Sequence, residues 1–190
     1  GVVEWCTSSI SEEVESYTRL FGGFLPQPLT VDQHQHREIT GMDVPLLKGG
    51  DTELHNNNDI ADDFMKRTGA IATLFVRSGD GFVRVATSLR KENGERAIGT
   101  WLEKTSPAFT PVMNDETYRG QALLFGKRYI TQYQPVKDAS GHTIAIIFVC
   151  VDLSRSRVPM RDKILSPRLG DSGLMFVLAL NRGEDSGSTM

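Results

Sequence analysis

The segment from Ala70 to Leu89, AIATLFVRSGDGFVRVATSL, constrains the fold most, because two apolar, β-branched runs flank a short turn sequence. The turn, residues 78–81, contains two glycines, which adopt positive φ angles without steric penalty. The segment is therefore predicted to form a β-hairpin. Arg84 lies in its second strand, where a guanidinium is costly to bury unless an anion pairs with it. Arg84 is thus the first candidate binding residue.

Three further strands are predicted downstream of the hairpin. The runs YRGQALLFG (Tyr118 to Gly126) and RYITQYQPV (Arg128 to Val136) follow each other directly, and HTIAIIFVCVDL follows the turn at residues 138–141. Strands joined by tight turns are antiparallel neighbours. Together with the predicted helices, these runs favour an α+β module built on a five-stranded antiparallel sheet.

Two helices and two irregular segments complete the predicted pattern. Apolar residues recur at three- and four-residue steps from Val2 to Phe21, and Gly22-Gly23 is predicted to end that helix. The next stretch, Phe24 to Asn58, has no clear period and is interpreted as a long loop. A shorter helix then runs from N-cap candidates at residues 57–59 to Gly69. Residues 98–114, interrupted by two prolines, are predicted to be irregular and partly helical.

The two ends of the chain are interpreted as cut from a longer protein. Residues 1–155 are predicted to form one module that includes the N-terminal helix. Residues 156–190 are predicted to be a connector helix followed by the first strand, LMFVLAL, of an incomplete second module. A strand without its native neighbours leaves backbone groups unpaired, so this one is expected to be disordered, swapped or paired elsewhere.

The composition limits the classes of function. The chain has 190 residues, of which 39% are hydrophobic, and a net charge of −3, which argues against a nucleic-acid-binding protein with its usual basic face. No apolar run approaches the ~20 residues of a membrane span. Cys150 lies in an apolar run and is interpreted as a core residue rather than as a disulfide partner of Cys6, so cysteine usage leaves the redox compartment open.

Two stretches, TGAIATLFVRSGDGFVRVATSLRKENGERAIGT and LFGKRYITQYQPVKDASGHTIAIIFVCVDLS, resemble the Cache family of extracytoplasmic sensor domains. The likeness is strongest to the double-module sensors of bacterial methyl-accepting chemotaxis receptors, and it extends over roughly Glu13 to Ser188. It implies a PAS-like fold with the long N-terminal helix packed along one side of the sheet and a ligand on the other. It further implies a periplasmic domain of an inner-membrane receptor, with transmembrane segments outside this chain and homodimerisation through the N-terminal helix.

The resemblance also implies where a ligand binds. Related citrate and dicarboxylate sensors have an arginine after the hairpin turn and a histidine three positions on; the matching residues here are Arg84 and Thr87. Those sensors also carry basic groups on the strand where this chain has Thr131 and Tyr133. Because the matching residues are neutral, the sequence favours a smaller and less charged ligand than a polycarboxylate.

The residues of this strand support a binding role independently of the resemblance. Tyr129, Thr131 and Tyr133 alternate, so their side chains point to one face, where they suit a pocket that holds a ligand by a few hydrogen bonds. Lys127 precedes the strand and is a candidate for the pocket mouth. The alternatives are a wet outer face for the three side chains, a solvated strand end for Lys127, and a structural ion pair for Arg84.

Neither a metal site nor an active site is predicted. His34, His36 and His55 include a His-x-His pair, but no nearby cysteine or fixed spacing supports zinc. No phosphate-binding loop, nucleophile elbow or zinc-protease motif occurs. We therefore expect a protein that is not an enzyme and that needs no cofactor.

Two hypotheses about function follow. The first is a receptor's sensory domain that captures a small organic acid and changes its packing. The second is a PAS-like module that dimerises or docks a partner protein and binds no small molecule. Arg84 and the alternating Tyr/Thr strand favour the first hypothesis.

Overall fold

The computed structural model describes residues 2–155, without the side chains of residues 2–8 and 155. Its elements, in chain order, are α1 (Val2–Phe24), β1 (Leu29–Ile39), β2 (Met42–Gly49), β3 (Thr52–Glu53), α2 (Asn58–Thr68), β4 (Ile71–Ser78), β5 (Gly81–Thr87), α3 (Phe109–Met113), β6 (Tyr118–Leu124), β7 (Lys127–Lys137), β8 (Thr143–Asp152) and a 3₁₀ turn, Leu153–Arg155. Residues 14–152 form one compact unit, which holds both sheets. The predicted connector helix and the strand LMFVLAL lie outside the described residues.

The larger sheet has five strands in the order β5-β4-β8-β7-β6, all paired antiparallel. The predicted α+β class and PAS-like five-stranded sheet are confirmed. One face of this sheet carries Phe75, Phe82, Tyr133 and Phe148, which belong to a buried cluster that α3 and its flanking loops cover. We call this the pocket face.

The predicted hairpin is β4 and β5, closed by the pair Ser78–Gly81 with Gly79 at a φ of 64°. A bulge shifts the register, so that Leu74 pairs with Ala86 but Phe75 pairs with Arg84. Arg84 and Thr87 are three positions apart, and in a regular strand two such residues point to opposite faces. Arg84 shares the pocket face with Phe82, two positions before it, and the extra residue of the bulge brings Thr87 to the same face as Arg84.

The predicted end of α1 at Gly22-Gly23 is wrong, because the helix continues to Phe24. Neither glycine takes a positive φ, so neither provides the left-handed C-cap that the prediction assumed. Phe21 and Phe24 of this last turn pack on Phe64 of α2, at ring-centroid distances of 5.0 and 5.3 Å. These tertiary contacts outweigh the low helix propensity of glycine, about 1 kcal/mol per residue relative to alanine.

The predicted loop over residues 24–58 is also wrong, because it contains the three-stranded antiparallel sheet β1-β2-β3. The β1–β2 hairpin turns at Thr40 and Gly41, both with positive φ angles, 47° and 85°. The register is irregular between Asp32 and His36, and most of β1 is exposed or half-buried. The polar, irregular sequence of β1 explains why no strand period is visible there.

Helix α2 ends as predicted at Gly69, which adopts the left-handed conformation at a φ of 81°. Within the unit of residues 14–152, α1 packs on α2 through Phe64, and Glu15 of α1 forms an ion pair with Arg119 of β6 at 3.7 Å. Arg119 alternates with Tyr118 and Gly120, whose strand partners lie on the pocket face. The helices α1 and α2 therefore lie on the side of the sheet opposite the pocket face.

Candidate functional site

The pocket face contains a cavity of about 640 Å³ between the sheet and the segment that connects β5 to β6. Such a volume suits a small organic ligand. Its lining comes from β5, β6, β7 and the connecting segment: Arg84, Thr100, Trp101, Leu102, Glu103, Thr105, Ser106, Pro107, Gln121, Ala122, Leu123, Leu124, Phe125 and Tyr133.

Residues 99–107, which we call the lid, close one side of this cavity. Backbone hydrogen bonds attach the lid to the edge of β5: Arg84 N to Thr100 O and Leu102 N to Phe82 O, both at 2.9 Å. The indole of Trp101 packs against Gly81, where an added Cβ would lie 3.0 Å from the ring. Glycine at position 81 thus lets the lid approach the hairpin closely.

Arg84 lies at the bottom of the cavity and is only 3% exposed. Its guanidinium packs over Phe75 at 4.6 Å from the ring centroid, a favourable cation–π geometry. Its Nη1 donates to Thr100 Oγ1 at 2.9 Å, while its buried Nε has no partner. Burial lowers the pKa of Arg84, but an arginine guanidinium is not deprotonated in proteins. In the part of the chain that the structure describes, no carboxylate forms an ion pair with Arg84, so the structural ion pair considered above is not observed.

Tyr133 is the second predicted residue that lines the cavity, and it is 1% exposed. Its ring packs on Phe148 at 4.5 Å between centroids and on Tyr118 at 6.1 Å. Burial raises the pKa of Tyr133, so the hydroxyl stays protonated at physiological pH and is able to donate a hydrogen bond.

The other predicted site residues do not line the cavity. Thr87 Oγ1 lies 2.6 Å from Thr73 Oγ1 and accepts from Leu89 N, and Thr131 Oγ1 donates to Gly120 O. Tyr129 is buried in the same cluster, and burial raises its pKa to about 12. Lys127 is exposed at the start of β7. The structure therefore brings Arg84 and Tyr133 together and engages Thr87 and Thr131 in the sheet.

Sequence reasoning missed the lid, which supplies half of the cavity wall. Thr100 positions Arg84 because its own hydroxyl proton is donated to Ala97 O at 2.6 Å, leaving the oxygen to accept from the guanidinium. Trp101 is 43% exposed, a large fraction for tryptophan. An isolated tryptophan in an irregular segment next to two prolines was the available signal.

The start of the connecting segment is tied to the opposite side of the sheet. Arg96 donates to both carboxylate oxygens of Asp62 in α2, at 2.8 and 3.0 Å, and to Thr87 O at 2.7 Å. Such a bidentate pair is geometrically specific. Arg96 therefore links α2, the end of β5 and the segment that leads to the lid.

The described residues contain no group of three or more metal-ligating side chains that could hold an ion. His34 and His36 lie exposed on β1, whereas His55 is half-buried and accepts a hydrogen bond from Leu47 N at 3.1 Å. Burial lowers the pKa of His55. None of the described helices is both long and apolar enough to span a membrane.

An antiparallel sheet with helices on one face and a lidded, arginine-based cavity on the other has room for a small organic ligand. In the comparison with protein families, the Cache 3/Cache 2 fusion domain matches residues 2–189, and the chain belongs to this family. Cache domains are extracytoplasmic sensor domains.

Two solved structures match part of the chain at low sequence identity. The sensor domain of DcuS from E. coli is 17% identical, with a TM-score of 0.39 over 53% of this chain and 68% of that one. A putative transcriptional regulator, RHA06195, from Rhodococcus sp. RHA1 is 16% identical, with a TM-score of 0.35 over 52% of this chain and 57% of that one. No protein with a curated description matches the chain.

Proposed function

We propose that this domain binds a small organic acid in the lidded cavity, with Arg84 as the carboxylate-binding residue, and that binding changes its packing. The observation that carries the proposal is the buried guanidinium of Arg84, which lines a cavity and has an unpartnered Nε. A buried charge without an anion raises the free energy of the folded state. An anionic ligand relieves this cost, and a planar guanidinium matches a carboxylate better than an ammonium does.

The scarcity of cationic groups in the lining supports a ligand of low negative charge. Tyr133 offers a protonated hydroxyl, and Gln121 and Thr105 offer further hydrogen-bonding groups without charge. Leu102, Leu124 and Phe125 supply apolar surface for the body of the ligand. Arg84 is the only cationic side chain in the cavity wall, so the wall neutralises one carboxylate and not several.

A thermal-shift screen tests the proposal directly. A ligand that binds only the folded state stabilises it by about 2.7 kcal/mol at 100 times its Kd. We expect at least one small carboxylate to raise the Tm of the parent protein and of the control Arg90→Ala, whose exposed arginine is outside the cavity lining. Arg84→Ala should lose this shift. If no carboxylate raises the Tm, or if Arg84→Ala responds like the parent, the proposal is wrong.

Calorimetry on two variants ranks the cavity contacts. Arg84→Ala should weaken binding by about 2–5 kcal/mol, because truncation also leaves the ligand's carboxylate buried and unpaired. Tyr133→Phe retains the ring and removes one hydroxyl, so its cost should be about 0.5–1.5 kcal/mol. A larger loss from Tyr133→Phe than from Arg84→Ala would show that Arg84 is not the principal anchor.

The receptor context forms part of the same proposal. We place the domain in the periplasm as the sensor of an inner-membrane chemotaxis receptor that pairs through α1. Light scattering on the purified domain, with and without the best carboxylate from the screen, tests the pairing. A strict monomer at all concentrations, in both conditions, would argue against dimerisation through α1.

A further inference from the structure

Two side chains of opposite charge line the same cavity; their charges attract each other at longer range, but neither forms an ion pair with a group in the described part of the chain. Arg84 lies at the bottom, and Glu103 of the lid lies exposed at the rim. They do not form an ion pair with each other, so they face the cavity as two separate poles. The neighbouring Lys104 does not neutralise Glu103, because its ammonium pairs with Asp80 at 2.8 Å.

Each pole selects for one end of a ligand. The guanidinium favours a carboxylate at the bottom, as argued above. A second carboxylate near the rim would lie close to Glu103, and like charges repel. An ammonium there is attracted instead, and it keeps part of its hydration because the rim is open to water, so its desolvation cost is small.

We propose, on the basis of the function proposed above, that the cavity takes a zwitterion: an amino acid whose carboxylate pairs with Arg84 and whose ammonium faces Glu103. The wall between the two poles is mostly apolar or neutral, including Leu102, Leu124 and Gln121. It therefore accommodates an uncharged chain between the carboxylate and the amine. Glu103 is then a specificity-determining residue, and its charge disfavours plain dicarboxylates.

A matched ligand series tests the charge preference by calorimetry. Amino acids with the amine one to four carbons from the carboxyl carbon are compared with analogues in which a methyl or a carboxylate replaces the ammonium. For example, 4-aminobutanoate is compared with pentanoate and with pentanedioate. We expect at least one amino acid to bind about two- to fivefold more tightly than its methyl analogue, the range for an exposed ion pair, with the dicarboxylate weakest.

Glu103→Gln removes the charge and retains the shape at an exposed position. It should abolish the preference of the amino acid over its methyl analogue and improve binding of the dicarboxylate. The control Glu38→Gln, on the exposed strand β1, should behave like the parent. Acids that bind through Arg84 with no preference for an amine would overturn the zwitterion while leaving the proposed function intact. If no member of the series binds, both proposals fail, and a preference that persists in Glu103→Gln overturns the role of Glu103.

Discussion

At the scale of single residues, Arg84 is held by aromatic faces and by one hydroxyl rather than by a counter-charge. The rings of Phe75 and Phe148 lie 4.6 and 5.8 Å from its guanidinium carbon, and Thr100 accepts from its Nη1. These contacts orient the side chain without neutralising it. Without a ligand, the buried charge of Arg84 is therefore not neutralised, and this lowers the unfolding free energy of the domain.

The cost of this charge predicts a trade-off between stability and binding. Replacing an incompletely compensated buried charge by an apolar side chain of similar volume is often neutral or stabilising. We expect Arg84→Met to change the unfolding free energy of the unliganded domain by between zero and a gain of about 2 kcal/mol. The same variant should lose carboxylate binding. Urea denaturation measures the first effect and calorimetry the second; a strongly destabilised variant would show that the cation–π contacts outweigh the desolvation cost.

Thr87 is a polar residue whose hydroxyl forms hydrogen bonds within the sheet, so we expect it to contribute to stability and not to binding. Its hydroxyl contacts Thr73 Oγ1, Ala72 O and Leu89 N at 2.6, 3.2 and 2.9 Å. We expect Thr87→Val to reduce the unfolding free energy by about 1–3 kcal/mol, because buried partners lose their hydrogen bonds. Ligand affinity should be unchanged. Thr87→Ser, which retains the hydroxyl, is the control. Reduced ligand affinity in a folded Thr87→Val variant would show that Thr87 contacts the ligand.

At the scale of elements, the sequence predicted the parts whose signals are local and periodic. The hairpin, the five strands and the C-cap at Gly69 follow from turn chemistry and alternation, and all are observed. The bulge in β5 could not be predicted from the local sequence, because the register of β5 depends on its pairing with β4. The lid could not be placed either, since main-chain hydrogen bonds to the edge of β5 fix it and carry no side-chain signature. Half of the cavity wall could therefore not be predicted from local sequence patterns.

The lid contains its own optical probe. Trp101 lines the cavity and is 43% exposed, so a ligand should displace water from its indole. We expect a saturable shift of tryptophan emission to shorter wavelength during titration with the best carboxylate. Trp5→Phe removes the other tryptophan, so that the signal comes from Trp101 alone. Calorimetric binding without any emission change would show that the ligand binds away from the lid.

At the scale of the whole molecule, carboxylates that hold turns and strand ends make the fold sensitive to acid. Asp115 accepts hydrogen bonds from Thr143 N and Oγ1 at 2.8 and 2.7 Å, and these bonds hold the pKa of its carboxyl below the ordinary value of 3.8. The side chains of Asp138 and Ser140 form a similar pair, which lowers the pKa of Asp138. Because these pKa values are depressed, their stabilisation is complete above the ordinary value and is lost as the pH falls through the folded value.

The domain should therefore lose stability as the pH drops below about 4. Asp115→Asn retains the shape and the tolerance of the positive φ at this position, 65°. We expect this variant to melt at a lower temperature than the parent at pH 7 and to lose less on acidification. Melting curves from pH 7 to pH 2 measure both effects. The control Asp51→Asn, at an exposed turn, should follow the parent; an Asp115→Asn curve parallel to that of the parent would contradict the prediction.

The hydrogen bonds from Arg96 to Asp62 connect the segment between β5 and β6 to helix α2. A two-point contact between a planar guanidinium and a carboxylate resists rotation as well as separation. The segment that Arg96 anchors leads into the lid on the pocket face, and Asp62 belongs to α2, whose Phe64 packs against α1 on the opposite side. If a ligand shifts the lid, we therefore expect the shift to strain the contact between Arg96 and Asp62 and, through α2, to alter the packing of Phe64 on α1.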